Sequence, residues 1–567
     1  MSDRVEFVCN GESVTIDAEP GETLLTVLRE RLGFTSAKDG CAPQGQCGCC
    51  TVLVDGDARV ACVTPIGRIA GRTVTTLEGL DPAVSEPLAA AFVATGGSQC
   101  GFCTPGILMR AVAQRAKDKT TRLDFDRALA AHLCRCTGWQ TVYDALEAAP
   151  GPPASARPRD LARASDRAAL EGGSGQRVAA DVPVGHGGFA DDTAPRDALV
   201  AIPLPPGSDA PFVEAAGIRW VVGESLTEVR VQAGKVQGRR TTVEVRPPLP
   251  LPDLPDGGVR LATSWVEPGY LEPDASWCAP GGVPASPLAN GGAFGGKESS
   301  PVTAAARELA DSSGRTVRTV FSREDVVRLG PKRPPVSAAA AFRAGRLTVA
   351  GTTLAALPRS GSSYTFPVDT TWATTAPIGL VASPALRAAG LAEQAVLVEG
   401  ALDVAGVERA DFVGETAVVL LDTAVVTTSG ARAGARVVFD PSTGLVVRIE
   451  VRVAAGDPLD DVVLRSYAIG ATHMALGWVL TEGLAVDPET GIVHDLTIRS
   501  FGIIRPKDVP AIDIAIVDDA GPPQAHSSDA VFAAVAAATW NAIARAEGER
   551  PETFPALGTR ASRMLRR

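Results

Sequence analysis

Cys41-Ala42-Pro43-Gln44-Gly45-Gln46-Cys47-Gly48-Cys49-Cys50, with Cys62 beyond it, is the stretch whose reading decides the fold. A second set follows, Cys100 and Cys103, then Cys134 and Cys136, so eight of the eleven cysteines fall into two spaced quartets. An iron–sulfur cluster takes four thiolates, and short loops bring several ligands onto one small object. Paired cysteines at such spacings also suit zinc, or a disulfide framework in a secreted chain. Disulfides are disfavoured because the chain opens Met1-Ser2-Asp3-Arg4-Val5, without a signal-peptide pattern, and cytosolic thiols stay reduced. Zinc stays open for the second quartet. It is poor for the first, where Gly45 and Gly48 leave backbone N–H groups free to meet bridging sulfides.

The first quartet reads C-x5-C-x2-C-x11-C, one residue longer in its first gap than the plant-type ferredoxin spacing. A one-residue bulge absorbs the difference. Cys49 is the rival of Cys50 as ligand, and Cys50 is preferred because Thr51-Val52-Leu53-Val54 continues from it as a strand. The second quartet reads C-x2-C-x30-C-x-C. Gly40-Cys41 through Asp55-Gly56, Gln99-Cys100-Gly101-Phe102-Cys103-Thr104-Pro105-Gly106, and Cys134-Arg135-Cys136-Thr137-Gly138-Trp139 come in order and at matching spacing. Together they resemble the iron–sulfur part of the xanthine dehydrogenase/aldehyde oxidase family, molybdenum hydroxylases with two [2Fe–2S] clusters. The resemblance implies Cys41, Cys47, Cys50 and Cys62 as one ligand set, and Cys100, Cys103, Cys134 and Cys136 as the other.

The expected fold is α+β and multidomain. Residues 1–80 read as a plant-type ferredoxin-like β-grasp domain, 81–149 as an all-helical cluster domain and 150–170 as a linker. A reduced hammerhead-like domain over 171–257 follows, then an α/β molybdopterin-binding domain in two parts, 258–430 and 431–567. Locally, Asn10-Gly11 joins strands Val5–Asn10 and Ser13–Asp17 as a hairpin, and a helix over Leu24–Leu32 stops at Gly33. Thr51–Val54, a return strand reaching Cys62, and Val74–Thr76 complete the first unit. Helical periodicity then predicts Pro87–Thr95, Pro105–Ala116, Asp124–Leu133 and Thr141–Ala148. Cys134 and Cys136 would end the third of these, so that two helix termini meet at one cluster. Pro150-Gly151-Pro152-Pro153-Ala154-Ser155 has linker composition.

Ala289-Asn290-Gly291-Gly292-Ala293-Phe294-Gly295-Gly296-Lys297-Glu298 reads at its simplest as a glycine-rich turn. Glycines around an aromatic also let backbone N–H groups approach a bulky anion closely. The stretch resembles the family's pterin-holding G-G-x-F-G-G-K-E loop, which implies cofactor contacts at Gly292, Ala293, Phe294 and Gly295. Val266–Pro273, and Ser322–Asp325 with Lys332-Arg333, resemble further family stretches. Gln99 and Cys136 are implied to lie beside the pterin. Arg387, in Ala385–Gly390, is implied on the cofactor side, where a guanidinium suits anionic groups; its plain reading is a surface arginine. Tyr467 replaces the glutamine of the family segment that ends here at Glu482.

Near the end, counting back from Asn541-Ala542-Ile543 places Asp529 where the family has its catalytic glutamate, with the preceding K-G-x-G absent. Asp529 is therefore either the base, one methylene shorter, or the N-cap of a helix beginning at Ala530. Glu298 occupies a position that purine-oxidising relatives set against the substrate ring.

A net charge of −11 over 567 residues disfavours a nucleic-acid partner, and no apolar run approaches the ~18 residues of a membrane span. The five histidines are scattered, which argues against a multi-histidine metal site. The expected protein is a cytoplasmic oxidoreductase that carries two [2Fe–2S] clusters and molybdenum–molybdopterin, as such or as its cytosine dinucleotide. It would hydroxylate an N-heterocycle or oxidise an aldehyde with water as the oxygen source. No flavin domain separates the two halves, so a separate flavin subunit or another carrier would accept the electrons; homo-oligomerisation stays open. The competing expectation is an electron-transfer or assembly protein with a degenerate molybdenum part.

Overall fold

The computed structural model describes residues 3–149, 159–172, 176–234, 244–286, 292–293, 296–297, 300–355, 364, 366–375, 380, 382–383, 386–407 and 422–566. Two hairpins open the first unit. Asn10-Gly11 and Asp55-Gly56 both have positive φ at their two central positions, the backbone twist that a two-residue hairpin needs. They join Asp3–Cys9 to Glu12–Ala18 and Thr51–Val54 to Asp57–Val60. Thr73–Thr75 lies between the hairpins, parallel to Asp3–Cys9 and antiparallel to Thr51–Val54. Leu24–Thr26, capped by Thr23, runs on through π-helical turns over Val27–Leu32 to Gly33. Its Leu24, Leu25, Val27 and Leu28 fill the concave face of this β-grasp sheet.

The helical unit comprises Pro82–Thr95, Thr104–Arg115, Arg122–Ala128 and Gln140–Ala148. The third helix is shorter than its periodicity predicts. It starts from a Thr121/Asp124 capping box and stops at Ala128, and Leu133 N–H instead bonds the Cys47 carbonyl at 3.0 Å. Cys134 and Cys136 therefore lie in irregular chain rather than at a helix end. The helix terminus actually present at the second quartet is that of Thr104–Arg115, whose N-cap is Cys103.

Of the segment assigned to a linker by composition, 150–158 lie outside the described residues, whereas Leu161–Gly172 is a helix. Its Ala164, Arg167, Ala168 and Glu171 recur at helical spacing and are buried, with Ala164 and Ala168 against Val463 and Tyr467. A proline-rich start had hidden this amphipathic stripe.

Beyond it the expected boundaries are crossed by sheets. Leu199–Pro203 pairs in parallel with Val317–Val320, so one five-stranded sheet spans residue 257. Thr553–Phe554 joins Gly258–Thr263 in another, which ties the end of the chain to the middle. Arg387–Val404, Asp461–Leu480 and Ser527–Glu547 pack between that sheet and a four-stranded one, in a single alanine-rich core. Ala530, Ala533, Ala534, Ala536, Ala537 and Ala538 are all fully buried, and their small side chains let the helices approach closely. Among the described residues, no helix is long and apolar enough to cross a membrane.

Candidate functional site

All eight quartet cysteines are buried. Cys41 contacts the thiols of Cys47 and Cys62, and Cys62 contacts Cys41 and Cys50. Backbone N–H groups point at sulfur: Gln46 and Cys47 to Cys41 Sγ, both at 3.3 Å, and Cys62 to Cys50 Sγ at 3.4 Å. Those thiol neighbours and amide donors hold Cys41 well below the usual thiol range. Cys49 is fully buried too and touches Cys47; it shares the helical unit's core with Cys41 and Cys47, while Cys50 and Cys62 belong with the β-grasp core. The longer first gap has a use. Gln44 Oε1 accepts from Ile498 N–H at 3.0 Å and Gln46 Oε1 from Arg499 N–H at 3.1 Å, so the loop clips onto the C-terminal part of the chain.

In the second quartet Cys100 Sγ lies 3.5 Å from Cys136 Sγ, and Cys134 contacts Cys103 and Cys136. Phe102 N–H donates to Cys100 Sγ at 3.5 Å and Thr137 Oγ1 lies 3.1 Å from Cys134 Sγ. The Cys103 and Cys136 thiols, with Thr137, hold Cys134 well below its ordinary value against the effect of burial. Two sets of converging, buried, amide-solvated thiols fit iron–sulfur clusters by donor chemistry. His132 lies between the sets, its Nε2 3.2 Å from Thr51 Oγ1, and burial pushes its pKa down to about 3.

The second quartet docks directly on the larger half. Gln99 Nε2 donates to the Cys136 carbonyl and to Ser466 Oγ, both at 3.0 Å. A Cβ on Gly470, one turn along the same helix, would stand 1.8 Å from the Cys136 carbonyl oxygen. Arg135 is buried, donates from Nε to the Pro268 carbonyl at 2.8 Å and pairs through both terminal nitrogens with Glu482. Gly292, at φ 67°, presses on Arg135: a Cβ there would come within 2.8 Å of its backbone. Gly470 and Glu482 therefore seat the cluster loop. The glycine loop's Lys297 is buried between Glu272 Oε1 at 3.1 Å and Asp274 Oδ1 at 3.3 Å. Ala293 is buried, whereas Phe294, Gly295 and Glu298 lie outside the described residues.

Asp529 and Arg387 come together across 142 residues of chain, with Arg387 Nε 3.3 Å from Asp529 Oδ2. The helix begins at Ser527, and its N-cap is His526, so Asp529 sits inside the first turn rather than capping it. Ser528 Oγ is buried and has no partner among the described residues. A buried hydroxyl without a partner is costly, and it stands beside the carboxylate that aligns with the base. Such a hydroxyl, the Arg387 guanidinium and the glycine loop fit an oxygen-rich anionic cofactor. Two residues that sequence reading did not single out, Gln176 and Glu171, belong to this region, beside the Tyr467 that it did. Tyr467 donates to Gln176 Oε1 at 2.6 Å, and Glu171 accepts from Ser528 N–H at 2.9 Å. The helical stripe on 161–172 was the signal available for Glu171; Gln176 had none.

Comparison with known proteins separates the two halves. Residues 7–67 match the sequence family described as "2Fe-2S iron-sulfur cluster binding domain", and 76–147 match "[2Fe-2S] binding domain". Isoquinoline 1-oxidoreductase subunit alpha of Brevundimonas diminuta is 39% identical over 147 residues, which are 26% of this chain and 96% of that protein. The xanthine dehydrogenase iron-sulfur-binding subunit of Escherichia coli is 39% identical over 146 residues, 25% of this chain and 91% of that one. Among solved structures, the aldehyde oxidoreductase of Desulfovibrio desulfuricans superposes with a TM-score of 0.71 at 15% identity, covering 99% of this chain and 100% of that chain. At that identity, the likeness is one of fold.

Proposed function

Because this chain belongs to the xanthine dehydrogenase/aldehyde oxidase family, we propose that it is a molybdopterin-dependent oxidoreductase acting on an N-heterocycle or an aldehyde. A water oxygen is added to an electron-poor carbon, and two protons and two electrons leave, the electrons through two [2Fe–2S] clusters. One observation carries this reading: Gln99, Cys136 and Gly470 bring the second quartet into direct contact with the half that holds Gly292, Arg387 and Asp529. Electron transfer between a cofactor and a cluster needs that contiguity.

Gly292 and Ala293 with Phe294 and Gly295, together with Gln99, Arg387 and Ser528, would hold the molybdopterin. When bound, that group supplies the metal chemistry that delivers water oxygen to the substrate and takes up its electrons. The chain supplies the rest. Asp529 Oδ1 and Oδ2 are the acceptors for the proton released, and Arg387, 3.3 Å from Oδ2, aims that carboxylate. Glu298 would contribute to the substrate side, as its place in the family-like loop implies. Cys100, Cys103, Cys134 and Cys136 hold the nearer cluster, and Cys41, Cys47, Cys50 and Cys62 the outer one, which passes electrons onward.

The relatives named above as subunits favour a partner subunit here as well, and we assign the accepting partner a flavin or another carrier. Cysteines that are free of disulfides support a cytoplasmic setting for the reaction. The ion pair between Arg387 and Asp529 favours one second reading, an electron-transfer or assembly protein in which that carboxylate no longer acts. Metal analysis and one variant decide between them. About four irons and one molybdenum per chain, with turnover abolished in Asp529→Asn at unchanged metal content, support the enzyme. Iron without molybdenum, from a host that makes the cofactor, favours the second reading.

A further inference from the structure

The Ser527–Glu547 helix starts without a local side-chain cap. Its N-cap, His526, is in the left-handed region at φ 60°, and its side chain makes no capping hydrogen bond. The first N–H groups of a helix have no intrahelical acceptors, and leaving them buried and unpaired is unfavourable. Here Ser527, Ser528 and Asp529 are all buried. Asp529 N–H bonds the His526 carbonyl at 3.1 Å, whereas the acceptor for Ser528 N–H and the Ser527 hydroxyl comes from a different helix, Leu161–Gly172. Glu171 Oε2 accepts from Ser528 N–H at 2.9 Å, and Glu171 Oε1 accepts from the Ser527 hydroxyl.

Arg167, one turn earlier, pairs with Glu171, and both side chains are fully buried. The same guanidinium donates to Ser527 Oγ at 3.2 Å and to the Gln524 carbonyl at 2.9 Å, fixing the chain on the other side of His526. The backbone carbonyl of Glu171 accepts from Arg387 Nη2 at 3.4 Å, and Arg387 Nε reaches Asp529 at 3.3 Å. Glu171 thus caps the turn that carries Asp529 with its side chain and steadies the partner of Asp529 with its backbone. Burial pushes the Glu171 carboxyl up, but Arg167, Ser527 and Ser528 outweigh it and hold the group below its ordinary value. A buried ion pair adds little net stability over apolar residues of the same size. Its gain here is geometric.

We propose that Glu171, supported by Arg167, is a positioning residue for Asp529, a cap supplied from the 161–172 helix that fixes the carboxylate in place of the glycine-rich approach this chain lacks. The inference rests on the base role of Asp529 proposed above. Single substitutions would strand one buried charge, so the test uses paired variants of the whole chain: Arg167→Met with Glu171→Met, which removes the cap, and Arg167→Met with Glu171→Gln, which keeps an acceptor. The first readout is hydrogen exchange of a peptide covering residues 525–531, since a cap is worth about a tenfold factor in local opening. The second is kcat against KM in the metal-loaded protein.

The Met pair should exchange about tenfold faster in that peptide alone, and lose at least about tenfold in kcat with KM and metal content unchanged. The Gln pair should restore both. Parental exchange or parental kcat in the Met pair overturns the positioning role, as does a Gln pair that behaves like the Met pair. A parent with metal but no hydroxylase turnover overturns the proposed function instead, and the exchange result then still decides whether Glu171 caps the turn.

Discussion

Gly470→Ala is the sharpest perturbation of the seam between the clusters and the larger half. The added methyl would stand 1.8 Å from the Cys136 carbonyl oxygen and 2.9 Å from its carbon. The closest ordinary C···O contact is about 3.3 Å, so the helix and the cluster loop must separate by ~1.5 Å. Backbone lies on both sides, and neither can swing away as a side chain could. Gln99 bonds both Cys136 and Ser466 across this seam at 3.0 Å, so a shift of that size breaks at least one of the two bonds. Overpacking of this kind costs ~1–3 kcal/mol, to which a lost buried hydrogen bond adds about 1 kcal/mol. Urea unfolding followed by the visible absorbance of the clusters measures the loss, and single-turnover reduction by substrate measures transfer across the seam. Gly470→Ala should unfold at lower urea and reduce its clusters more slowly, while the outer cluster's magnetic signal stays unchanged. Parental midpoints and parental reduction rates would refute the close seating of Gly470 on Cys136.

Other outcomes follow from the same geometry. Cys49→Ala should retain both clusters, whereas Cys50→Ala should lose about half the iron and the ferredoxin-type signal; iron analysis with electron paramagnetic resonance decides between the two ligand assignments. Arg135→Met leaves Glu482 buried and unpaired and should destabilise by ~3–5 kcal/mol, while adding Glu482→Met should recover most of it in the same unfolding assay. His473 is buried with Nε2 3.0 Å from the Ile504 carbonyl, and burial pushes its pKa down to about 4. The unfolded chain therefore binds a proton that the folded chain refuses as pH falls below about 6.5, so stability is lost between there and about pH 4. His473→Gln should flatten that part of the stability profile, and an unchanged slope between pH 7 and pH 5 would count against it.

What the sequence determined alone is the iron–sulfur half and the family. Cysteines at fixed short spacings report ligand geometry directly, because four thiolates on one small cluster leave few chain paths. Asn10-Gly11 and Asp55-Gly56 likewise announce their hairpins, since their backbone angles are local matters. The alignment of Asp529 with a base position was legible, but its surroundings were not. Arg387 lies 142 residues away and Glu171 lies 358 residues before it, on a helix whose opening reads as linker.

 Only tertiary packing brings those three residues together, because burial of the Ser527–Asp529 turn leaves Ser528 N–H in need of an acceptor, which Glu171 supplies. The same holds at Gly470 and Glu482, whose spacing resembles a cofactor motif and whose contacts are with Cys136 and Arg135. Local geometry is written in neighbouring residues. Which buried group answers which unpaired one is decided when distant segments share a core.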